Sequence, residues 1–298
     1  MECVLVTGGT EGLGKATSLL LAAQGYRVFA GGRNAGKRAA LDAEAKQKNL
    51  PLQSLEMDVT NDASVDRAIG AIHEEAGPVD ILVNNAGIAF AAVIEEITLD
   101  DFRRQFETNL FGMVRVTQRV LPEMRERRRG RVVNLSSVGG KMSSPVLGPY
   151  SSSKHAVEAI SDSLRIELRP FGVHVILIEP GYIRSDMERT AQELSSRYIA
   201  NAEKSPYAGI YAGFQRGWTS MTKDSKTKPD DCAQVILGAI RANPPKARYT
   251  VTREAKIVTF LRRVLSDKAL DRMLAKMYGV PRVLGAAESN ASSSERVM

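Results

Sequence analysis

The 298 residues are 43% hydrophobic and 25% charged, which supports a large buried core and excludes intrinsic disorder, a collagen-like repeat and a disulfide scaffold as overall descriptions. The formal charge of +7 sits at one end: residues 241–298 hold twelve Lys/Arg against five Asp/Glu, whereas residues 1–240 carry 29 of each. A body without net charge does not attract a phosphate backbone, so nucleic acid is not an expected partner.

Strand-like and helix-like patterns alternate along roughly the first 250 residues, the arrangement of a parallel sheet covered by helices on both faces. Apolar runs at Val4–Val6, Val28–Ala30, Leu52–Leu55, Ile81–Val83, Val132–Leu135 and Val173–Ile178 read as buried strands. Helices are expected at 12–24, 35–48, 61–76, 99–126 and 150–169, and the Ala/Ser-rich stretch 285–298 reads as a disordered tail. Cys3 and Cys232 lie far apart without a CxxC or Cys/His cluster. A reducing cytoplasm is therefore expected. His73, His155 and His174 fall on unrelated elements, so no metal site is expected. The chain opens without a leader pattern, and no apolar run approaches the ~18 residues of a membrane span.

Thr7-Gly8-Gly9-Thr10-Glu11-Gly12-Leu13-Gly14 lies between the first strand and the first helix. Glycines permit a tight turn and close approach of backbone to a pyrophosphate, and the helix start that follows offers unpaired N–H groups. The spacing TGxxxGxG resembles the turn of the short-chain dehydrogenase/reductase family. Further motifs of that family follow in order: Asp58-Val59, Asn84-Asn85-Ala86-Gly87, Asn109 within Thr108–Gly112, Ser137, Tyr150-x-x-x-Lys154 and Pro180-Gly181. Ser137 rather than Ser136 stands thirteen residues before Tyr150, as the family pattern has it. The resemblance covers residues 3–250 and implies one doubly wound Rossmann-type α/β domain, with a seven-stranded parallel sheet in the order 3-2-1-4-5-6-7.

Residues four apart on a helix share a face, so Tyr150 and Lys154 can present a phenol and an ammonium to one cavity. A neighbouring ammonium stabilises the phenolate and makes tyrosine a usable acid–base group. Ser137 would hold and polarise the same substrate oxygen. The resemblance further implies that Lys154 binds the nicotinamide ribose and that Asn109 positions a relay water. It also implies cofactor contacts from Gly8, Thr10, Glu11, Gly12, Leu13, Gly14, Asp58, Val59, Asn85, Ala86, Gly87, Tyr150, Pro180, Gly181, Ile183 and Ser185.

The second strand ends in Gly31-Gly32-Arg33-Asn34, without the acidic residue that accepts from a ribose 2′-hydroxyl. Arg33 supplies a planar cation for a 2′-phosphate, with Lys37 and Arg38 one turn on, so NADP(H) is favoured over NAD(H). Arg33 lying over the adenine or in solvent is the competing reading, and Glu11 complicates the preference. A long lid over about 182–228, rich in aromatic and sulfur-containing residues, suits an apolar ligand. Tyr182, Met187, Tyr211 and Trp218 are expected to line one wall of the substrate pocket and Val138, Gly139, Met142 and Val146 the other.

Residues 253–284 form a basic extension with apolar residues at three- and four-residue spacing. Packing of that apolar stripe on the domain (1–252) is favoured over peripheral contact with an anionic membrane. Together these features predict an NADP(H)-dependent enzyme interconverting a ketone and a secondary alcohol on a lipophilic, steroid- or retinoid-like substrate. Family resemblance implies a homodimer or homotetramer. A β-oxoacyl-thioester reductase and a non-catalytic NADPH-sensing protein are the alternatives.

Overall fold

The computed structural model describes residues 1–184, 186–223 and 226–280. Seven parallel strands, β1 (Cys3–Thr7), β2 (Arg27–Gly32), β3 (Leu52–Glu56), β4 (Ile81–Asn84), β5 (Gly130–Leu135), β6 (Val173–Glu179) and β7 (Arg248–Thr250), form one sheet in the order β3-β2-β1-β4-β5-β6-β7. The expected doubly wound order is therefore present. β1, β4 and β6 are almost continuously apolar because both faces of a parallel sheet are covered.

Alternation of side chains across the pleat divides the core. One face sets Leu5, Phe29, Leu82, Val132 and Val175 against α3 (Asp62–Ala76) and α5 (Gly112–Glu126). The other sets Val4, Val6, Val28, Val83, Val133 and Ile176 against α1 (Gly12–Ala23) and α9 (Pro229–Arg241). α2 (Ala35–Gln47) connects β2 to the edge strand β3, and α6 (Gly148–Glu167) packs Val157 on Met113 and Leu177.

The helix expected over 99–126 is interrupted. α4 (Leu99–Phe106) passes into a π-helical turn, Glu107–Phe111, before α5 begins. Such a turn re-aims side chains without ending the helix, and here it carries Thr108 and Asn109 inward to the sheet's carboxyl edge.

Beyond β6 a second, smaller core forms. α7 (Asp186–Ala200) and α8 (Ala208–Lys223) precede α9, while α10 (Arg253–Val264) and α11 (Asp267–Met277) follow β7. Tyr211 and Phe214 of α8 are buried with Leu270 and Leu274 of α11 and with Tyr278. α10 departs from the expected packing. Its Ala255 is 1% exposed, but Ile257, Phe260 and Val264 are 59, 62 and 56% exposed. The N-terminus of α10 is held against Gly181 through Thr252, which turns the Ala255 face inward and the apolar stripe outward. The expected tail at 285–298 and the end of the 253–284 segment lie outside the described residues.

Helices α8 and α11 approach so closely that a Cβ on Gly213 would stand 1.8 Å from the Tyr278 carbonyl oxygen. Gly213→Ala is expected to force them apart at a cost of roughly 1–3 kcal/mol. Hydrogen exchange should then show faster exchange of α11 amides while the β1–β6 amides keep their protection.

Candidate active site

The strand order reverses between β1 and β4, which leaves a crevice at their carboxyl ends. Thr7 at the end of β1 ties the two loops together. Its hydroxyl accepts from the backbone N–H groups of Asn85 and Ala86 at 3.0 and 3.1 Å. The Asn85 side-chain amide donates to the carbonyls of Thr7 and Gly8 at 3.0 and 3.1 Å. Gly8 and Gly12 have φ of +60° and +50°, the left-handed region, and a Cβ on Gly14 would lie 2.0 Å from the Gly8 carbonyl oxygen. Thr7 was passed over in the sequence as part of the glycine turn, although a hydroxyl directly before that turn was its signal.

The turn fits a pyrophosphate. Asn34 and Asn61 cap α2 and α3 with their side chains, but Glu11 makes no such bond to α1. The first-turn N–H groups of α1 therefore lack a side-chain acceptor and point to where an anion is stabilised. Of the other expected cofactor contacts, Leu13 and Ile183 pack on the sheet core, and Thr10 is buried against Gly32. Val59 packs on Gly112, Ser185 lies outside the described residues, and the Pro180 carbonyl accepts from Val138 N–H at 2.8 Å.

At the end of β2, Arg33 remains 60% exposed, its guanidinium 3.9 Å from the Asp58 carboxylate. The other two cations are engaged: Lys37 pairs with Glu11, and Arg38 donates to the Gly32 carbonyl at 3.3 Å. A groove of about 700 Å³ opens beside Arg33, lined further by Thr60, Phe106, Glu107 and Thr108. Most of its lining comes from α4 and the π-helical turn, with neither the glycine turn nor Tyr150 taking part.

The proposed acid–base group starts α6, where Pro149 fixes the first turn. Tyr150 is half-buried and Lys154 only 4% exposed. Burial raises the Tyr150 pKa, and a hydrogen bond with Ser137 opposes the rise. The Ser137 hydroxyl also accepts from Gly139 N–H at 3.0 Å. The Lys154 ammonium lies 5.8 Å from the Tyr150 ring centre and donates to the Leu135 carbonyl at 2.7 Å. Its pKa falls from 10.5 to about 8 through burial, with the Glu158 carboxylate pulling it upward.

The π-helical turn brings Asn109 to the same place. Its amide donates to the Ile88 carbonyl at 2.9 Å and the Ser153 hydroxyl at 3.0 Å, and its oxygen accepts from Ile88 N–H at 2.8 Å. A Cβ on Gly87 would lie 3.3 Å from Asn109 Oδ1 and 3.8 Å from Lys154 Nζ. Glycine there keeps the space between them clear. Ser137, Tyr150, Lys154 and Asn109, though 45 positions apart in sequence at the extremes, thus meet at one edge of the sheet.

The substrate residues divide. Val138 and Gly139 directly follow Ser137 and are half-buried, a Cβ on Gly139 would come within 3.2 Å of Tyr150 Cε1, and half-buried Met142 packs against the α8–α11 core. Tyr182 and Trp218 stand edge to face at 5.4 Å, and both donate to the Glu188 carboxylate, Trp218 at 3.3 Å. Burial, then the Glu188 bond, pushes the Tyr182 phenol upward. Met187 is 38% exposed. Val146 and Tyr211 differ from the expectation that they line the pocket: they are 4% and 2% exposed inside the α8–α11 core. The Tyr211 hydroxyl donates to Glu96 at 2.7 Å and accepts from Val93 N–H at 3.1 Å. A buried phenol that has found such partners anchors the lid.

A buried ion cluster next to the site was not anticipated. Glu158 and Glu179, 6% and 2% exposed, share Lys141 and Arg248. Arg248 stands 3.1 and 3.3 Å from the two carboxylates and 2.6 Å from Asp162. Burial, then the Glu158 charge, raises the Glu179 pKa. Glu158 extends the Tyr150–Lys154 spacing by one further turn, the one sequence signal for it.

Because the folded Lys154 pKa is depressed, the folded state carries the full penalty of the buried charge below pH 8. That penalty relaxes as pH rises from 8 toward 10.5. NMR titration of isotope-labelled lysine in the cofactor-free protein is expected to find Lys154 titrating near 8. In Glu158→Gln the midpoint should move lower still, since the carboxylate that holds the proton is gone.

A family model described as short chain dehydrogenase matches residues 2–195. The chain is 35% identical to an NADPH-dependent 3-dehydrocapnine reductase of Ornithobacterium rhinotracheale, covering 93% of this chain and 97% of that one. It is 38% identical over 180 residues to a 3-ketodihydrosphingosine reductase of Bacteroides thetaiotaomicron, covering 60% and 63%. Among solved structures, an actinorhodin polyketide ketoreductase variant with NADPH superposes with a TM-score of 0.72 at 29% identity, covering 84% of this chain and 95% of that one.

Proposed function

This chain belongs to the short-chain dehydrogenase/reductase family and is an oxidoreductase; we propose that it interconverts a ketone and a secondary alcohol with NADP(H), on a lipophilic substrate. The observation that carries this reading is the convergence of the Ser137 hydroxyl, the Tyr150 phenol and the Lys154 ammonium beside a clear space at Gly87.

The nicotinamide cofactor supplies hydride when bound. This chain's residues manage the proton. In reduction, Tyr150 holds it on its phenol oxygen, the form that burial favours, and gives it to the carbonyl oxygen. Ser137 hydrogen-bonds the same oxygen and so stabilises the charge that develops there. Lys154 stabilises the resulting phenolate, an electrostatic contribution that low dielectric strengthens. Asn109 fixes the Ile88 backbone and the Ser153 hydroxyl around Lys154, and water held there returns the proton from solvent. Alcohol oxidation runs these transfers backward.

NADP(H) is supported by the state of the three cations after β2. Lys37 is neutralised by Glu11 and Arg38 is held by Gly32 and Glu56, whereas Arg33 is exposed and, among the described residues, makes only a long contact with Asp58. Arg33 is thus available for bidentate pairing with a 2′-phosphate. A lipophilic ketone is supported by the Tyr182–Trp218 pair and by the half-buried Val138 and Met142. The names of two relatives, which act on a 3-dehydro and a 3-keto compound, point to the same class. The polyketide ketoreductase neighbour keeps a β-oxoacyl thioester as the second substrate class. A cytoplasmic homo-oligomer completes the reading. Among the described residues no helix is long and apolar enough to cross a membrane.

The test is oxidation of NADPH and NADH in parallel against lipophilic ketones and oxoacyl thioesters. Turnover is expected to prefer NADPH and to fall by about 10²–10⁴-fold in Tyr150→Phe, with cofactor binding retained. Tight NADPH binding without turnover on any ketone would overturn the enzymatic reading in favour of a sensor. Arg33→Ala should lower the NADPH preference by roughly tenfold, as expected for loss of one charge-assisted pair. An unchanged ratio would remove Arg33 from the phosphate site.

A further inference from the structure

Helix α10 presents an outer face that its own domain does not use. Ile257, Phe260 and Val264 recur at i, i+3 and i+7, so they share one side of the helix, and each is more than half exposed. Arg253, one turn before Ile257, extends that side, while Lys256 and Arg263 flank it. All three are exposed, and among the described residues none of them pairs with a carboxylate. The opposite side, at Ala255, is buried where Thr252 meets Gly181, so the helix is seated and its orientation is fixed. Over 253–280 the chain holds seven Lys/Arg against three Asp/Glu, next to a body of balanced charge.

We infer that α10 docks this protein on the surface of an anionic lipid bilayer, with Ile257, Phe260 and Val264 inserted at the headgroup boundary and Arg253, Lys256 and Arg263 on the lipid phosphates. Charge selects this occupant. A second copy placed on the same stripe by a two-fold axis would bring the cations of the two helices against one another, with Glu254 as the one carboxylate that each α10 sets against its four Lys/Arg. An anionic bilayer supplies both the apolar layer and the opposite charge. A polyanion without an apolar phase would leave the three large side chains in water. Because α10 begins beside Gly181 and packs near the Val138–Gly140 turn, docking turns the Ser137–Tyr150 side of the molecule toward the lipid. The docking itself does not depend on what substrate the enzyme takes.

The experiment is co-sedimentation of the full chain with phosphatidylcholine vesicles, with and without phosphatidylglycerol, at low and high salt. Binding is expected only to the anionic vesicles and should weaken as salt rises. Ile257→Ser/Phe260→Ser/Val264→Ser should weaken it by at least about tenfold, while thermal unfolding and turnover of a water-soluble ketone stay as in the parent chain. Lys256→Glu/Arg263→Glu should do the same through charge alone, and carries the test should the serine variant not fold. No binding to anionic vesicles, equal binding to neutral ones, or binding indifferent to both variants would overturn the inference. So would self-association of the parent chain that the serine variant abolishes without vesicles present, since the stripe would then cover a second copy.

Discussion

Lys154 carries an ammonium into a place that leaves it 4% exposed, and much of the surrounding architecture serves to make that tolerable. An isolated buried charge would cost more than a domain of this size has to spare. The Leu135 carbonyl at the end of β5 accepts a hydrogen bond from it, and Glu158 one turn along α6 offsets part of the desolvation through its field. Glu158 is itself buried, and it is held by Lys141 and Arg248, which also hold Glu179 at the end of β6. The charge is thus balanced in stages, from the reacting end of α6 to the edge strand β7 that carries Arg248. Removing one partner from such a chain costs about 3–5 kcal/mol because the other is left buried alone.

The same edge of the sheet solves a second problem, that of bringing backbone close to a ligand while keeping neighbouring loops in register. Gly8 and Gly14 provide clearance that an added Cβ would remove, and a Cβ at Gly87 would come within 3.3 Å of Asn109 Oδ1. The loops are then fixed by Thr7 and Asn85, whose polar atoms are shared between the two crossing segments. Below them Asn84 bonds Thr117 and Asn134, and Asn134 bonds Ser161, a buried polar line running from β4 through β5 to α6. Asn84 spends its amide N–H groups on this line, while its own oxygen is buried without a hydrogen-bond partner among the described residues.

How much of this the sequence discloses depends on the range of each interaction. The four-residue spacing of Tyr150 and Lys154 is local and survives as written; the alternation discloses a parallel sheet covered by helices, and its strand order is what the family resemblance implies. Asn109 was legible by motif but its setting was not. Nothing in Thr108–Gly112 signals a π-helical turn, because the extra residue is accommodated by contacts with Ile88 and Ser153, 21 and 44 positions away. Tyr211 and Val146 read as pocket walls because an aromatic or aliphatic side chain looks the same in sequence whether it faces a ligand or a neighbour. Tyr211 finds Glu96, 115 residues earlier, and that partner decides its role. The outward stripe of α10 has the same origin. Its periodicity announces an apolar face, but whether that face turns inward is set by Thr252 and Ala255 closing on Gly181.

These placements separate chemistry from selectivity. The proposed reacting groups follow β5, at Ser137, or sit on α6, at Tyr150 and Lys154, elements packed on the main sheet. The segments beside them are α7, which packs Leu194 and Tyr198 on Ile88, Phe90 and Ala92 after β4, and α8, which shares a small core with α11 and Tyr278. Phe214 links two rings of that core: it lies 5.7 Å from Trp218 and 6.4 Å from Tyr278. Any shift of α11 therefore reaches Trp218 through one intervening ring, and from Trp218 it reaches Glu188 and Tyr182. Residues far outside the motif-bearing core are thereby linked by packing to the Tyr182–Trp218 pair, while Ser137, Tyr150 and Lys154 are held by β5 and α6.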